Sequence, residues 1–286
     1  MDADTSRSGD TPLSERLPEA TVCLAPDLLR QNVESACRRG LPQVPCMRPH
    51  GRQMVICAGG PSLRRSLHEV RRRQRQQADV VAVNATSGFL LESEIIPRAV
   101  VLADPQEVLA EQFAVDPQIT YLVASQCRPE VFDRLEGCEV LLWHCQADDE
   151  QSWITPFYPE PVLTENGTTA ALRMIDVAFA MGFRDIHFYG LDGSFEADEK
   201  GWLRHHAYQQ TVDDMPACII IKAKDETSER EFLTRADYAR QADEFMTILL
   251  RYHRMWKVGR LDQLNVQVHG DGLIPYIWRK RRHELV

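Results

Sequence analysis

Apolar residues along this chain gather in short runs separated by longer amphipathic stretches. MVICAG (54–59), VVAVNA (80–85), AVVLAD (99–104), ITYLVAS (119–125), EVLLWHC (139–145), DIHFYGLD (185–192) and NVQVHG (265–270) are the runs, and Gly, Pro, Asn or Asp bounds most of them. Short apolar runs of this kind predict strands of a mostly parallel sheet, buried on both faces. Between them the period changes to that of a helix. Leu63, Leu67 and Val70 share one helical face, with Ser62 as N-cap and Pro61 just before it. A short helix is expected in SGFLLESEI, ended by Pro97, and another near PEVFDRLEG. TTAALRMIDVAFAMG (168–182), closed by Gly182, and ADYARQADEFMTILLRYHRMW (236–256) are longer. Strands alternating with helices predict an α/β, Rossmann-like fold, a mostly parallel sheet with helices on both faces.

The flanks read differently. Residues 1–20 are rich in Ser, Asp, Pro and Arg and are expected to be a flexible tail. Residues 21–50 hold one helix (PDLLRQNVESACRR) and a proline-rich linker, and 51–286 form the main domain. Within that domain 193–235 is polar and without strong periodicity, which suggests a loop or lid over a site.

Composition narrows the function classes. Hydrophobic residues are 44% and charged residues 26% of the 286, ordinary for a globular chain, and the net charge is −9. That acidity gives no support for a nucleic-acid partner. None of the eight cysteines forms a C-x-x-C pair, so they read as small buried hydrophobes of a reducing compartment. The polar N-terminus carries no secretory signal and no run is long enough to span a membrane, so a cytoplasmic location is expected.

The candidate chemistry lies at the carboxyl ends of the predicted strands. Gly59, Gly60, Pro61 and Ser62 lead from the first core strand into a helix, an arrangement that seats phosphates on free amides. It is neither a dinucleotide fingerprint nor a Walker loop, and a plain tight turn is the simpler alternative. Asn84 and Asp104 end the next two strands, where an amide can bond a base or ribose and a carboxylate a sugar hydroxyl or a metal; each is equally a turn residue. Asn166, Gly167, Thr168 and Thr169 precede a helix, either as a cap or as a phosphate or sugar seat. Asp192 follows the sixth strand in the place of an active-site carboxylate. His205 and His206, beside Arg204 and Tyr208, are the candidates for a general base.

In this order, VICAGGPSL, VVAVNATSGFLLESEIIPRAVVLADP and NGTTAALRMIDVAFAMGFRDIHFYGLD with the later HHAY resemble the 6-hydroxymethylpterin diphosphokinase MptE-like family. That family looks related to motility-associated flagellin glycosyltransferases and bacterial sialyltransferases. Where it often carries Gly-x-Gly before Pro-Ser, this chain has Ala58-Gly59-Gly60. The resemblance implies a nucleotide-dependent transferase, with diphosphoryl transfer from ATP to a small hydroxymethyl acceptor as the first reading. Glycosyl transfer from a CMP-sugar-like nucleotide-sugar is the alternative, and an inactive nucleotide-binding protein a third. It implies that Gly59, Gly60, Ser62 and Asn84 hold the nucleotide, that Asp104, Thr168, Thr169 and Asp192 complete the pocket, and that His205 or His206 serves as base. With ATP, Mg²⁺ would sit on Asp104 and Asp192. The partners implied are a small-molecule nucleotide and acceptor, without membrane or nucleic acid, with homo-oligomerisation left open.

Overall fold

A computed structural model describes residues 24–106, 109–146, 150–165, 167–197, 203–209, 219–224 and 229–285. Eight parallel strands form one sheet: β1 (His50–Cys57), β2 (Asp79–Val83), β3 (Ala99–Leu102), β4 (Thr120–Ala124), β5 (Glu139–Cys145), β6 (Leu163–Thr164), β7 (Phe183–Tyr189) and β12 (Asn265–Val268). Their spatial order is β12-β7-β1-β2-β3-β4-β5-β6. Met54, Val55, Ile56 and Cys57 of β1 are all buried, as a strand covered on both faces requires. The α/β, Rossmann-like reading therefore holds.

The strand order fixes where a ligand crevice can lie. From β1 the chain moves outward through β2 to β6, then returns to place β7 on the other side of β1. Connections from β1 and β7 thus leave the sheet in opposite directions, and the crevice of such sheets opens outside the carboxyl ends at that reversal. The helices are α1 (Pro26–Arg38), α2 (Leu63–Arg75), α3 (Thr86–Glu92), α4 (Leu109–Gln112), α5 (Pro129–Arg134), α6 (Glu150–Ile154), α7 (Ala170–Ala180), α8 (Ala236–Lys257) and α9 (Leu273–Arg281).

Three parts differ from the sequence reading. The stretch 193–235 is not irregular throughout: β8 (Glu196–Ala197) pairs with β9 (Leu203–Arg204), and β10 (Ile219–Lys224) with β11 (Glu229–Thr234), both antiparallel. The proline-rich segment is tied down: Val44 donates to Leu142 O at 2.9 Å and Leu142 to Pro42 O at 2.8 Å. It lies against β5 where β6 does not reach. Helix α9 contains Pro275, but at its third position, where no intrahelical N–H bond is lost.

Helix α1 buries Val33 and Cys37 against Ile154 of α6 in a small satellite core. Cys37, Cys57, Cys127 and Cys145 are buried, whereas Cys46 is exposed and Cys138 half-buried. Cys23, Cys218 and the expected tail at 1–20 lie outside the described residues. Among the described residues no helix is long and apolar enough to cross a membrane.

Candidate active site at the strand-order reversal

The loop from β1 to α2 carries Gly59, Gly60, Pro61 and Ser62 directly into the crevice. Its amides are not the open cradle that the sequence suggests. Gly60 donates to Gly190 O at 2.7 Å, Leu63 to Gly60 O at 3.1 Å and Arg64 to Pro61 O at 3.3 Å. Ser62 donates its amide to Asp192 Oδ2 at 2.9 Å. The head of α2 is therefore already capped by a carboxylate from 130 residues along the chain. Ser62 itself, expected as a side-chain N-cap, makes no such bond.

Asp192 is enclosed. A Cβ on Gly60 would meet the Asp192 carboxylate and would lie 2.5 Å from Gly190 O; one on Gly272 would lie 2.5 Å from Asp192 O. Gly270, at φ +118°, passes over the Ser62 hydroxyl, where a Cβ would come within 2.6 Å. Burial pushes the Asp192 carboxyl up to about 6, against the stabilising bonds from Ser62. Asp192 thus joins β7, α2 and the 270–272 turn, a positioning role that the sequence assigned to catalysis.

The other side of the loop is different. Gly59 faces His206, Thr86 and Tyr208: a Cβ there would stand 3.2 Å from His206 Nδ1, 3.3 Å from Thr86 Oγ1 and 3.4 Å from Tyr208 Cε1. Ala207 donates to Gly59 O at 2.8 Å, and Arg64 Nε donates to Ala207 O, so the histidine segment is docked on the glycine loop. His206 stacks on Tyr208 with ring centroids 5.0 Å apart and 9° between planes. Burial, and then the neighbouring His205, hold His206 below the ordinary imidazole range. Its ring is therefore neutral near pH 7, the form a general base needs. His205 turns the other way, its ring 4.3 Å from that of Phe195; burial and then Arg235 lower it too. The two histidines expected as equivalent candidates are thus separated by orientation.

Asn84 ends β2 in the left-handed region, at φ +48°, which Asn tolerates. Its Oδ1 accepts from Ala103 N at 3.4 Å, bracing the end of β3. Asp104 Oδ1 accepts from Gln106 N at 2.9 Å in a local turn. Asp104 and Asp192 leave strands three positions apart, about 14 Å at ordinary strand spacing. They do not form a shared Mg²⁺ site, and among the described residues no group of three or more His, Cys, Asp or Glu side chains is arranged to hold an ion.

Thr169 caps α7, accepting from Leu172 N at 3.4 Å. Thr168 bonds Glu244 of α8 through both its amide (3.2 Å) and its hydroxyl (2.7 Å). Gly167, at φ +88°, packs on Leu172. Thr169 and Gly167 thus serve the α7 head and Thr168 ties it to α8, while Asn166 lies outside the described residues. Thr86 was absent from the sequence-derived candidates, although it stands two residues past Asn84 in the same turn. Gly270 and Gly272 were also missed, and their signal was a Gly-Asp-Gly turn directly after the last strand.

Residues 30–198 match the family described as 6-hydroxymethylpterin diphosphokinase MptE-like. No curated protein matches by sequence. Among solved structures, the MAf glycosyltransferase from Magnetospirillum magneticum AMB-1 is similar in fold, with a TM-score of 0.56 and 16% identity over 91% of this chain and 41% of that one. This chain therefore spans about two fifths of that protein. A mammalian sialyltransferase, solved in complex with Gal-beta-1-3GalNAc-ortho-nitrophenol, aligns over 90% of this chain and 82% of its own at 12% identity and a TM-score of 0.36. The family match covers more than half of the 286 residues and takes in β1 to β7. The chain belongs to the 6-hydroxymethylpterin diphosphokinase MptE-like family.

Proposed function

We propose that this protein is a transferase that moves a group from a nucleotide-linked donor to a hydroxyl acceptor, with the donor seated over Gly59 and His206 as the base. The observation that carries this reading is the neutral, half-buried His206 ring held over Gly59 at the strand-order reversal. Even a methyl at Gly59 would touch His206, Thr86 and Tyr208, so only glycine lets the loop approach them this closely. Among the described residues the Gly59 amide makes no hydrogen bond, so it is the loop donor left for a phosphate oxygen. As the acceptor oxygen bonds to the transferred atom, its proton passes to a ring nitrogen of His206, and the bond to the nucleotide breaks with the electron pair going to the nucleotide.

Family membership favours ATP as donor, a diphosphoryl group as cargo and a hydroxymethyl acceptor, with AMP released. Asp104 and Asp192 do not converge, so no step is assigned to a metal. A second reading, glycosyl transfer from a nucleotide-sugar, draws on a specific point. The family match stops at residue 198, before His206, whereas the fold likeness to the MAf glycosyltransferase takes in 91% of the chain.

Nucleotide release separates the two. The protein is incubated with ATP and hydroxymethyl acceptors, or with CMP-sugars and sugar acceptors, each with and without Mg²⁺. Acceptor-dependent AMP supports the first reading and acceptor-dependent CMP the second. In either case His206→Asn lowers turnover about 10²- to 10⁴-fold while nucleotide affinity changes little. Turnover at the wild-type rate in this variant removes His206 from the chemistry.

A further inference from the structure

The 205–209 turn that carries His206 is closed from within by Gln209. Its Oε1 accepts from His205 N at 3.1 Å and from His206 N at 3.2 Å, and its amide donates to His206 O at 3.2 Å. Those bonds shape the turn without deciding where it sits. Others fasten it to the crevice. Ala207 N donates to Gly59 O at 2.8 Å, and Arg64 reaches across with a fork, Nε donating to Ala207 O and Nη2 to Gln209 O at 3.3 Å. Ala207, between them, is completely buried.

Nothing in α2 itself calls for an arginine at position 64. It is the second residue of the helix, where a cation opposes the helix dipole, and no acidic residue stands in that first turn. Its neighbour Arg65 is matched by Glu196 and Asp271. Arg64 has no carboxylate partner among the described residues. Its charge-assisted bonds go to the two carbonyls of the turn, and its guanidinium lies 5.7 Å from the ring centre of Phe89 on α3. A planar fork holds two carbonyls in one fixed orientation, which a single ammonium does not.

We propose that Arg64 is a positioning residue: by gripping Ala207 O and Gln209 O it holds the turn down on the glycine loop and fixes the His206 ring beside Gly59. Its effect on rate rests on His206 being the base; its effect on docking does not. The titratable groups beside that ring are His205 and Tyr208 of the same turn, while α3 brings Thr86, which carries no charge, to the same glycine. Burial and His205 lower the ring's pKa and the Gly59 carbonyl opposes them; the Arg64 charge is not among the influences on it. A rise on removing Arg64 therefore reports an undocked turn rather than a lost charge.

Arg64→Ala, Arg64→Lys and Gln209→Leu are compared with wild type in the full chain, without substrate. Arg64 is exposed and alanine is the better helix former, so the fold is expected to survive, with urea titration as the check. Hydrogen exchange follows the Ala207 amide and NMR titration follows the His206 ring. In Arg64→Ala the amide is expected to exchange about tenfold faster or more, and the ring to titrate closer to the ordinary 6.5. Arg64→Lys keeps the charge and recovers only part of either change. Gln209→Leu leaves Arg64 in place, loosens the turn from within and moves both readouts the same way. Unchanged exchange and titration in folded Arg64→Ala, or full recovery with lysine, overturns the proposal. Where wild type turns over, Arg64→Ala lowers kcat about tenfold or more with KM for the nucleotide nearly unchanged. A wild-type kcat with the turn released overturns the positioning role. A released turn in Arg64→Ala, with no turnover in wild type, supports the docking role of Arg64 and counts against the transfer reading alone.

Discussion

Asp192→Asn isolates the cost of burying a carboxylate at the centre of the crevice. The folded-state value is about 6 against an ordinary 3.8, raised chiefly by burial. Between those values the folded protein holds a proton that the unfolded chain has released. Stability from this group is therefore greatest below about pH 4, falls as pH rises to about 6, and then levels off. Two pK units correspond to about 3 kcal/mol, of which about 2 kcal/mol falls between about pH 4.5 and 7.5. Asn keeps an oxygen for the Ser62 amide and carries no charge to desolvate. The difference in unfolding free energy, wild type minus variant, is expected to drop by about 2 kcal/mol across that range. Urea titrations of both proteins at several pH values give this difference directly, since contributions from distant groups cancel. Parallel stability curves would refute the burial argument and imply that the carboxylate is paired or solvated.

Neighbouring glycines in one loop should respond in opposite ways. Gly60→Ala drives a methyl to 2.5 Å from Gly190 O, backbone that cannot swing away, and should cost about 1–3 kcal/mol in chemical denaturation. Gly59→Ala meets side-chain atoms at 3.2–3.4 Å, so melting should change little while nucleotide-induced thermal stabilisation is lost. Thr169→Ala removes the cap of α7 and should cost about 1 kcal/mol with nucleotide affinity unchanged, as measured by denaturation and calorimetry.

The sheet was legible because β2, β3, β4, β5 and the second halves of β1 and β7 are largely apolar runs that end at turn residues, a signal that survives without neighbours. β6 was not, since two residues carry no period. α9 was hidden by Pro275, which reads as a breaker unless the helix start is known. The candidate site was legible in kind more than in role. Gly59, His206 and Asp192 were identifiable as chemistry-bearing residues at strand ends. Which side of the loop each faces depends on β7 lying beside β1, and that return across the sheet leaves no local trace. The same long-range contact turned Ser62 from an N-cap into a residue capped by Asp192. Thr168 was ambiguous for a related reason, because its partner Glu244 sits on a helix that follows much later.

The proposed function requires a nucleotide-linked donor over Gly59 against His206. Titrating isotope-labelled protein with ATP and with CMP while following the Gly59 amide and the His206 ring by NMR tests it most directly. Saturable shifts of both resonances with one of these nucleotides, absent in Gly59→Ala, are predicted. Saturable binding that leaves both resonances unmoved would contradict the claim.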